Sequence, residues 1–361
     1  MKTQIRGKAG ISCMVITILV MLAVSGCASH SNVGDLNLTY IGEARGQDAN
    51  LTYFLQGPAR GEIVVLLPGM GRGAGEFREL AAALNKAGYR TVAMQPRGAG
   101  RSGPVLTDPS YDKFADDVEL TLNDIPGGIA GGKAHVLGYE FGNRIARMFA
   151  VKYPDRVGTL ILLACGGQET SSSSSSSSST ETSSTSKSSS DTKAKKASSA
   201  TASSSVTSEV DSFFQSLNAI TAETGDANTQ EGMTAIFAFW LTSSEREPYV
   251  HKAFFAPMSK VPFFWITGWY RDTGWMQAAM DADHVSTSAV WVGGGNAPML
   301  ILQGQYDVAA PVSDGTYMKK TYPDRVTLGV VPDAGHAMLA EQPAFIADHV
   351  ISYLGQHPIV R

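Results

Sequence analysis

The sequence predicts an α/β protein with a mostly parallel central sheet, helices on both faces of that sheet, and an inserted helical segment. Strand and helix signals alternate along the chain from residue 36, as in proteins whose strands are joined by crossover helices. Several strands, such as residues 62–67, are near-continuous apolar runs, which is expected where both faces of a strand are buried. With 361 residues, 43% of them hydrophobic, the chain is long enough for one such domain and an insertion.

Each element is predicted from the spacing of its apolar residues. Two early strands, joined by a polar turn around Gly46, come before the first apolar strand. The predicted strands are residues 37–40, 50–55, 62–67, 89–94, 134–137, 157–163, 299–303 and 326–331. The predicted helices are residues 76–87, 111–125, 143–153 and 343–355.

The alternation stops between Leu163 and Met299, where the sequence predicts the insertion. Residues 169–208 are mostly Ser and Thr, with an unbroken run of serines at 171–179. They are predicted to form a disordered linker, because they cannot bury enough apolar surface to offset the entropy of folding. Residues 209–292 are rich in Phe and Trp, and they are predicted to form a helical lid over the sheet edge. Most of these aromatic side chains would form the core of the lid, and a few would line an apolar pocket.

The N-terminus has the features of an export signal. Lys2, Arg6 and Lys8 precede an apolar run at residues 11–24 that is too short for a stable membrane span. Small residues follow this run, as at the cleavage site of a signal peptide. One interpretation is therefore an ordinary signal peptide that is cleaved near Ala28.

The small residues that end at Cys27 resemble the lipobox of bacterial lipoproteins. This resemblance implies a lipoprotein signal peptide at residues 1–26, diacylation of Cys27, and a lipid-anchored tether at residues 27–35. Several acyl chains on one residue anchor a protein durably, since each buried methylene contributes about 0.8 kcal/mol. The protein is therefore expected in the cell envelope as a membrane-anchored lipoprotein. Ala28 slightly favours the outer membrane, because enteric bacteria retain lipoproteins at the inner membrane through an aspartate at that position.

A possible reactive residue lies at the end of the predicted strand at residues 134–137. Residues 138–142 read Gly-Tyr-Glu-Phe-Gly, a G-x-E-x-G pattern between that strand and the helix at 143–153. A strand, a sharp turn and a helix form the nucleophile elbow of hydrolases, which holds one side chain exposed above a buried strand. The glycines are expected because the turn is strained and crowded. Glu140 stands where such an elbow usually has a serine.

Further motifs follow in a fixed order along the chain. They are a Gly-rich loop at residues 66–71, a Q-P-R-G-A-G-R-S loop at 95–102, a Y-P-D-R-V segment at 153–157, a G-Q-Y-D turn at 304–307 and a D-A-G-H loop at 333–336. Together with the elbow, they resemble the motifs of the α/β-hydrolase fold superfamily, in the lidded form with an insertion after the strand that follows the elbow helix. The resemblance implies an α/β-hydrolase core at residues 36–168 and 293–361.

The resemblance also implies which residues form a catalytic site. In chain order, Glu140 takes the nucleophile position, Asp307 the position of the acid and His336 that of the histidine. Asp is common in turns and His is common in surface loops. The two found together in this order with the elbow nevertheless favour a catalytic interpretation.

The same family pattern implies an oxyanion site beside Glu140. Its donors are the backbone N–H groups of Met70 and Phe141, and Gly69 lies in the same substrate-binding loop. Arg97 and Arg101 lie in the 95–102 loop. Two roles are open to them: contact with an anionic group, or stabilisation of the loop through salt bridges or hydrogen bonds. We expect the stabilising role for both arginines.

Three interpretations of Glu140 remain open from the sequence. In the first, the carboxylate is the nucleophile, as aspartate is in the dehalogenase and epoxide-hydrolase branches of the superfamily. A carboxylate nucleophile needs no deprotonation at neutral pH, although the position after it is Phe141 rather than the tryptophan of dehalogenases. In the second, Glu140 acts with His336 as a general acid or base. In the third, the site is silent and the protein binds a ligand or a protein partner.

Composition excludes several classes of function. The net charge of −4 without a long basic run gives no indication of nucleic-acid binding. Cys13, Cys27 and Cys165 have no metal-ligand or disulfide spacing, and no cofactor or metal is predicted. Cys165 is predicted to be a packing residue. The expected function is a lipid-anchored hydrolase acting on a small, largely apolar substrate, and its partners are that substrate and, through the anchor, a membrane.

Overall fold

The computed structural model describes most of the predicted core and little of the insertion. The described residues are 39–129, 132–166, 251, 254–262, 265, 278–279, 281–282 and 291–359. The predicted signal peptide, the tether and the Ser-rich linker lie outside them, as does most of the predicted lid. None of the helices in this described part is long and apolar enough to span a membrane.

An eight-stranded sheet forms the centre of the described part of the chain. Its strands are β1 (Tyr40–Arg45), β2 (Asn50–Gln56), β3 (Ile63–Leu67), β4 (Arg90–Met94), β5 (Ala134–Tyr139), β6 (Val157–Leu163), β7 (Met299–Gly304) and β8 (Val326–Val331). Their spatial order is β1-β2-β4-β3-β5-β6-β7-β8. β2 pairs antiparallel with β1 and β4, and every other neighbouring pair is parallel. The predicted mostly parallel sheet is therefore confirmed.

Helices cover both faces of this sheet. They are α1 (Arg78–Lys86), α2 (Tyr111–Asp124), α3 (Phe141–Lys152), α4 (Val312–Thr321), α5 (Met338–Glu341) and α6 (Pro343–Gln356), with short 3-10 turns at Ala74–Phe77 and Pro154–Arg156. The apolar residues of α2 and α3 pack into a core on one face of the sheet. Those of α1 and α6 pack into a second core on the other face. The predicted α/β class, with helices on both faces, is therefore confirmed.

The prediction misplaced β1 and missed α4 and the one-turn helix α5. The first strand was expected at residues 37–40, but β1 lies at Tyr40–Arg45, where every residue pairs with β2. The strand was misplaced because its residues are only partly buried and show no apolar run. The turn that fixes its register is closed by a hydrogen bond from the Gly46 N–H to the Ala49 carbonyl oxygen (2.8 Å). Helix α4 was not predicted, because it buries only Gly315 and Met318 and so lacks an apolar stripe.

The turn between β5 and α3 holds a strand and a helix unusually close together. Glu140, at the tip of this turn, has φ 49° and ψ −110°, a strained conformation for a residue with a side chain. A Cβ on Gly138 would lie 2.3 Å from the Gly142 carbonyl oxygen, and one on Gly142 would lie 2.1 Å from the Leu67 oxygen. Both distances are far inside van der Waals contact. The predicted strained turn is therefore confirmed, and its glycines are required by close packing.

A buried arginine joins the two ends of the insertion to the elbow helix. The Arg147 guanidinium, fully buried on α3, donates from Nη2 to Asn143 Oδ1 (2.7 Å) and to the carbonyl oxygen of Gly166 (2.7 Å). It also packs over the Trp291 ring at 4.4 Å and donates to the Val292 carbonyl at 3.4 Å. Gly166 and Trp291 lie near the two ends of the insertion, so one side chain contacts the chain at both places.

The close packing of the elbow generates a stability prediction. We expect Gly142→Ala to lower the free energy of unfolding by at least about 2 kcal/mol, because the new methyl group meets the backbone of β3 rather than a flexible side chain. Gly75→Ala is the matched control, since a Cβ there meets no described atom within 4 Å. Urea unfolding followed by circular dichroism measures both. Equal effects in the two variants would contradict the packing argument.

Candidate active site

The loops after three parallel strands bring the predicted site residues to one edge of the sheet. Glu140 follows β5, Asp307 lies three residues after the end of β7, and His336 lies in the loop after β8. The carboxyl ends of parallel strands share one edge, and ligand sites of open α/β sheets form there. The side chains of Asp307 and His336 make direct contact.

Asp307 and His336 form a buried, oriented pair. His336 Nδ1 lies 2.9 Å from Asp307 Oδ2 and 3.0 Å from Oδ1. The N–H groups of Ala309 and Ala310 also donate to Asp307 Oδ1, at 2.9 Å and 2.8 Å. The Tyr139 hydroxyl donates to the His336 carbonyl oxygen. The carboxylate is thus fixed by its own turn, and it holds the imidazole with Nε2 directed away from Asp307.

Glu140 occupies the predicted oxyanion site with its own carboxylate. Its Oε2 accepts the Met70 N–H at 2.5 Å. A Cβ on Gly69 would lie 3.2 Å from the same oxygen, a tight contact that would require a small shift of the Glu140 side chain. No hydrogen bond involves Glu140 Oε1 among the described residues. One carboxylate oxygen is therefore held at a backbone donor, and the other lacks such a bond.

No hydrogen bond joins Glu140 and His336 among the described residues. The Glu140 carboxylate acts on the imidazole through its charge. Burial by itself lowers the pKa of His336. The carboxylates of Asp307, Glu140 and Glu76 outweigh this effect and raise the pKa of His336 above its ordinary value. The imidazole is therefore more readily protonated than a free histidine.

The side chain of Phe141 lies in the core of the protein, and only its backbone borders Glu140. Its side chain is fully buried, with its ring 5.5 Å from that of Tyr111 and 6.1 Å from that of Phe114. Its backbone begins α3 directly after Glu140, which places its N–H at the helix N-terminus. Backbone donors at this position are suited to an anion.

Two carboxylates that the sequence analysis did not single out tie the site loops together. Glu76 Oε2 accepts the Gly69 N–H at 3.1 Å, and Glu76 Oε1 accepts from Arg72 Nε at 3.0 Å. Glu341 accepts the Gly335 N–H at 2.7 Å through one oxygen and the Ala256 N–H at 2.7 Å through the other. The i,i+4 spacing of Arg72 and Glu76 after a Gly-rich loop was the only signal in the sequence.

Aromatic residues of the insertion lie against the histidine. The Phe254 ring centroid is 5.9 Å from that of His336, and Trp265 packs on Phe254 at 5.3 Å and on Phe255 at 4.9 Å. The Ala337 N–H donates to the Phe254 carbonyl at 2.7 Å. An apolar surface therefore lies beside the Asp307–His336 pair. The other aromatic residues of the predicted lid, apart from Trp291, lie outside the described residues.

The side chains expected to be structural have structural contacts. Arg97 holds Asp117 through Nε (2.8 Å) and Nη2 (2.7 Å), which confirms its loop-stabilising role. Arg101 is exposed and lies 3.6 Å from Glu43. Cys165 is fully buried, and burial raises the pKa of its thiol, as for a packing residue.

The comparisons with known proteins agree with this architecture. The family model described as "alpha/beta hydrolase fold" matches residues 62–343. The 2-hydroxy-6-oxononadienedioate/2-hydroxy-6-oxononatrienedioate hydrolase of Comamonas testosteroni is 32% identical over 122 residues, which are 33% of this chain and 42% of that enzyme. The chain spans 36–42% of the length of the curated relatives that it matches.

Solved structures share the fold at low sequence identity. A bacterial membrane phospholipase A superposes with a TM-score of 0.60 at 16% identity, covering 96% of this chain and 98% of that one. An epoxide hydrolase superposes with a TM-score of 0.60 at 17% identity, covering 88% and 99%. At these identities the likeness is one of fold. With its sheet order, its elbow and the match of the family model over most of its length, the chain belongs to the alpha/beta hydrolase fold family.

Proposed function

We propose that this protein is a hydrolase in which the Glu140 carboxylate is the nucleophile, His336 activates water and Asp307 orients the imidazole. The observation that carries the proposal is the bond from Met70 N–H to Glu140 Oε2 (2.5 Å). It fixes one carboxylate oxygen at a backbone donor and leaves Oε1 available for attack. Positioning of this kind is the main requirement for a carboxylate nucleophile, which is already ionised at neutral pH.

The position of Oε2 favours substrates with an electrophilic saturated carbon, such as epoxides and alkyl halides. A carbonyl substrate needs an oxyanion donor in the first step, but the Met70 N–H is held by Glu140 itself. Attack on a saturated carbon needs no such donor. Glu140 Oε1 forms the new C–O bond as the carbon–halogen bond or the epoxide C–O bond breaks. The electron pair goes to the departing halide, or to the epoxide oxygen, which stays on the substrate and takes a proton from solvent water, and a glutamyl ester results.

The second step uses the same Met70 N–H in a different role. His336 Nε2 removes a proton from water, and the hydroxide adds to the ester carbon of Glu140. The negative charge develops on the ester oxygen that Met70 N–H already holds, so this donor stabilises the tetrahedral intermediate. The intermediate expels the substrate alkoxide, which takes the proton from His336, and the Glu140 carboxylate is restored.

The surroundings of the site support a small, neutral and largely apolar substrate. Phe254 and Trp265 supply an aromatic surface beside His336. Glu140, Asp307 and Glu76 make the site negative, which disfavours an anionic substrate. The hydrolases named among the relatives support the general class of the proposed reaction, hydrolysis, and not this choice of substrate.

The proposed cellular setting is the cell envelope. We propose that Cys27 carries the lipid anchor and that the hydrolase domain follows it on a short tether at residues 27–35. The support is the order of a basic flank, a short apolar run and small residues before Cys27.

One observation favours a second candidate function. The Glu140 carboxylate fills the position where a serine hydrolase binds the substrate oxygen, so it also closes that site to acyl substrates. A catalytically silent lipoprotein that binds a ligand or a protein partner has the same geometry. In that case Glu140→Ser, and not the wild-type protein, would hydrolyse esters.

The nucleophile proposal predicts a trapped covalent intermediate. The His336→Ala variant lacks the base for the second step, and we expect intact-protein mass spectrometry with epoxides or haloalkanes to show an adduct that peptide mapping places on Glu140. Glu140→Gln is expected to form no adduct and to lose activity by about 1,000-fold or more. Glu79→Gln, an exposed change on α1, is the matched control and retains activity. Full activity in Glu140→Gln would overturn both catalytic interpretations of the glutamate.

The raised pKa of His336 predicts the pH dependence of the second step. Water activation needs the neutral imidazole, so ester hydrolysis should accelerate as pH rises through a pKa above the ordinary value of about 6.5. Attack by Glu140 does not need the neutral imidazole. We therefore expect wild-type protein to accumulate the adduct at about pH 5.5 and to clear it at about pH 8.5 in quench-flow mass spectrometry. Equal adduct levels at both pH values would contradict the role of His336.

The lipid-anchor proposal predicts the effect of single cysteine substitutions. In a bacterial host, Cys27→Ser should abolish labelling by an alkyne fatty acid and move the protein to the aqueous phase of a detergent partition. Cys13→Ser, within the predicted signal peptide, is the matched control and should keep both properties. Unchanged labelling of Cys27→Ser would exclude this anchor.

A further inference from the structure

The loop between β3 and α1 contains a buried ion pair that the mechanism above does not use. Arg72 Nε donates to Glu76 Oε1 at 3.0 Å, and the two side chains are 7% and 5% exposed. Glu76 Oε2 accepts the Gly69 N–H at 3.1 Å, and the Arg72 N–H donates to the Gly69 carbonyl at 3.0 Å. These bonds hold the loop at residues 69–72 from both ends, with Met70 between them.

The other end of the Arg72 guanidinium reaches the insertion. Its Nη1 donates to the Trp265 carbonyl at 2.7 Å, and its central carbon lies 5.1 Å from the centre of the Trp265 ring. Trp265 packs on Phe254, whose ring lies 5.9 Å from that of His336. The pair therefore connects the loop that holds Glu140 to the aromatic surface beside the histidine.

The charge of Glu76 is coupled to the reacting groups. Burial raises the pKa of Glu76, Arg72 and the Gly69 N–H act against this, and Glu140 adds to the increase. Glu76 is in turn one of the carboxylates that raise the pKa of His336. The negative charge of a buried carboxylate acts strongly on neighbouring groups, because little water screens it, and the ion pair with Arg72 favours the charged form of Glu76 against burial.

We propose that Arg72 and Glu76 are a positioning pair that aims the Met70 N–H at Glu140, and that the Glu76 carboxylate contributes to the negative potential at His336. The inference rests on the proposed function, in which Glu140 is the nucleophile and His336 the base. Neither side chain is placed against the substrate. Glu76 acts through the Gly69 N–H and through its charge, and Arg72 acts by holding Glu76 and the Trp265 carbonyl.

Glu76→Gln tests the pair with little change in shape, because glutamine keeps an oxygen for the Gly69 N–H but loses the charge. We expect kcat to fall by about 10- to 100-fold with KM within about threefold, as for loss of alignment rather than of substrate binding. We also expect nuclear magnetic resonance titration of the imidazole to give a lower pKa for His336 than in the wild-type protein. A role in folding alone would change neither kcat nor this pKa.

Two further variants separate the positioning role of the pair from a general loss of stability and from the effect of the Glu76 charge. Asp117→Asn breaks the buried ion pair with Arg97, which contacts none of the proposed catalytic groups, and should lower stability while leaving kcat and the His336 pKa unchanged. Arg72→Lys keeps a cation beside Glu76 but loses the hydrogen bond from Nη1 to the Trp265 carbonyl, so we expect a smaller fall in kcat and a His336 pKa near the wild-type value.

Each result decides the proposal. A wild-type kcat in Glu76→Gln, or a fall in kcat that Asp117→Asn shows equally, would overturn the positioning role. If the wild-type protein turns over no substrate, the proposed function fails, and the titration still decides the role of the charge. An unchanged His336 pKa in Glu76→Gln would then overturn the charge role as well.

Discussion

The close approach of Gly142 to the Leu67 carbonyl is the constraint on which the site depends. It presses the start of α3 onto the end of β3, so that the elbow at Glu140 faces the loop that begins at Gly69. A side chain at Gly142 would separate α3 from β3, and the Met70 N–H would then no longer reach the Glu140 carboxylate. The strain of the elbow is tolerated because a parallel sheet, paired through β5 and β6, holds its base.

Replacing a neutral hydroxyl with a carboxylate changes the electrostatics of this architecture. Glu140 adds a second negative group beside the Asp307–His336 pair, and the buried Glu76 adds a third. The imidazole responds with a raised pKa, which makes it a better acid catalyst and a weaker base near neutral pH. A carboxylate nucleophile is compatible with that balance because only its second step requires a base. A serine nucleophile would require the base in its first step as well.

The insertion is joined to the core by polar side chains buried beneath the site. Arg147 bonds to the carbonyl oxygens of Gly166 and Val292, which lie near the two ends of the insertion. The Gln303 side chain, on β7, accepts the Cys165 N–H and donates to the Cys165 carbonyl. It therefore also holds the chain beside Gly166. Buried backbone groups need such partners, since a lost hydrogen bond there costs about 1–3 kcal/mol.

The sequence by itself determined the elements whose apolar spacing is strong and whose turns need particular residues. The buried apolar runs predicted β3, β6 and β7, and the paired glycines around Glu140 predicted the elbow, because both signals are local. The chain order of Asp307 and His336 was readable only through the resemblance to a family. Tertiary structure alone decided that Glu140 Oε2 takes the Met70 N–H and that Glu76 lies beside the site, since those contacts join residues from different strands and loops. Helix α4 was likewise decided by packing, because its own sequence carries almost no apolar face.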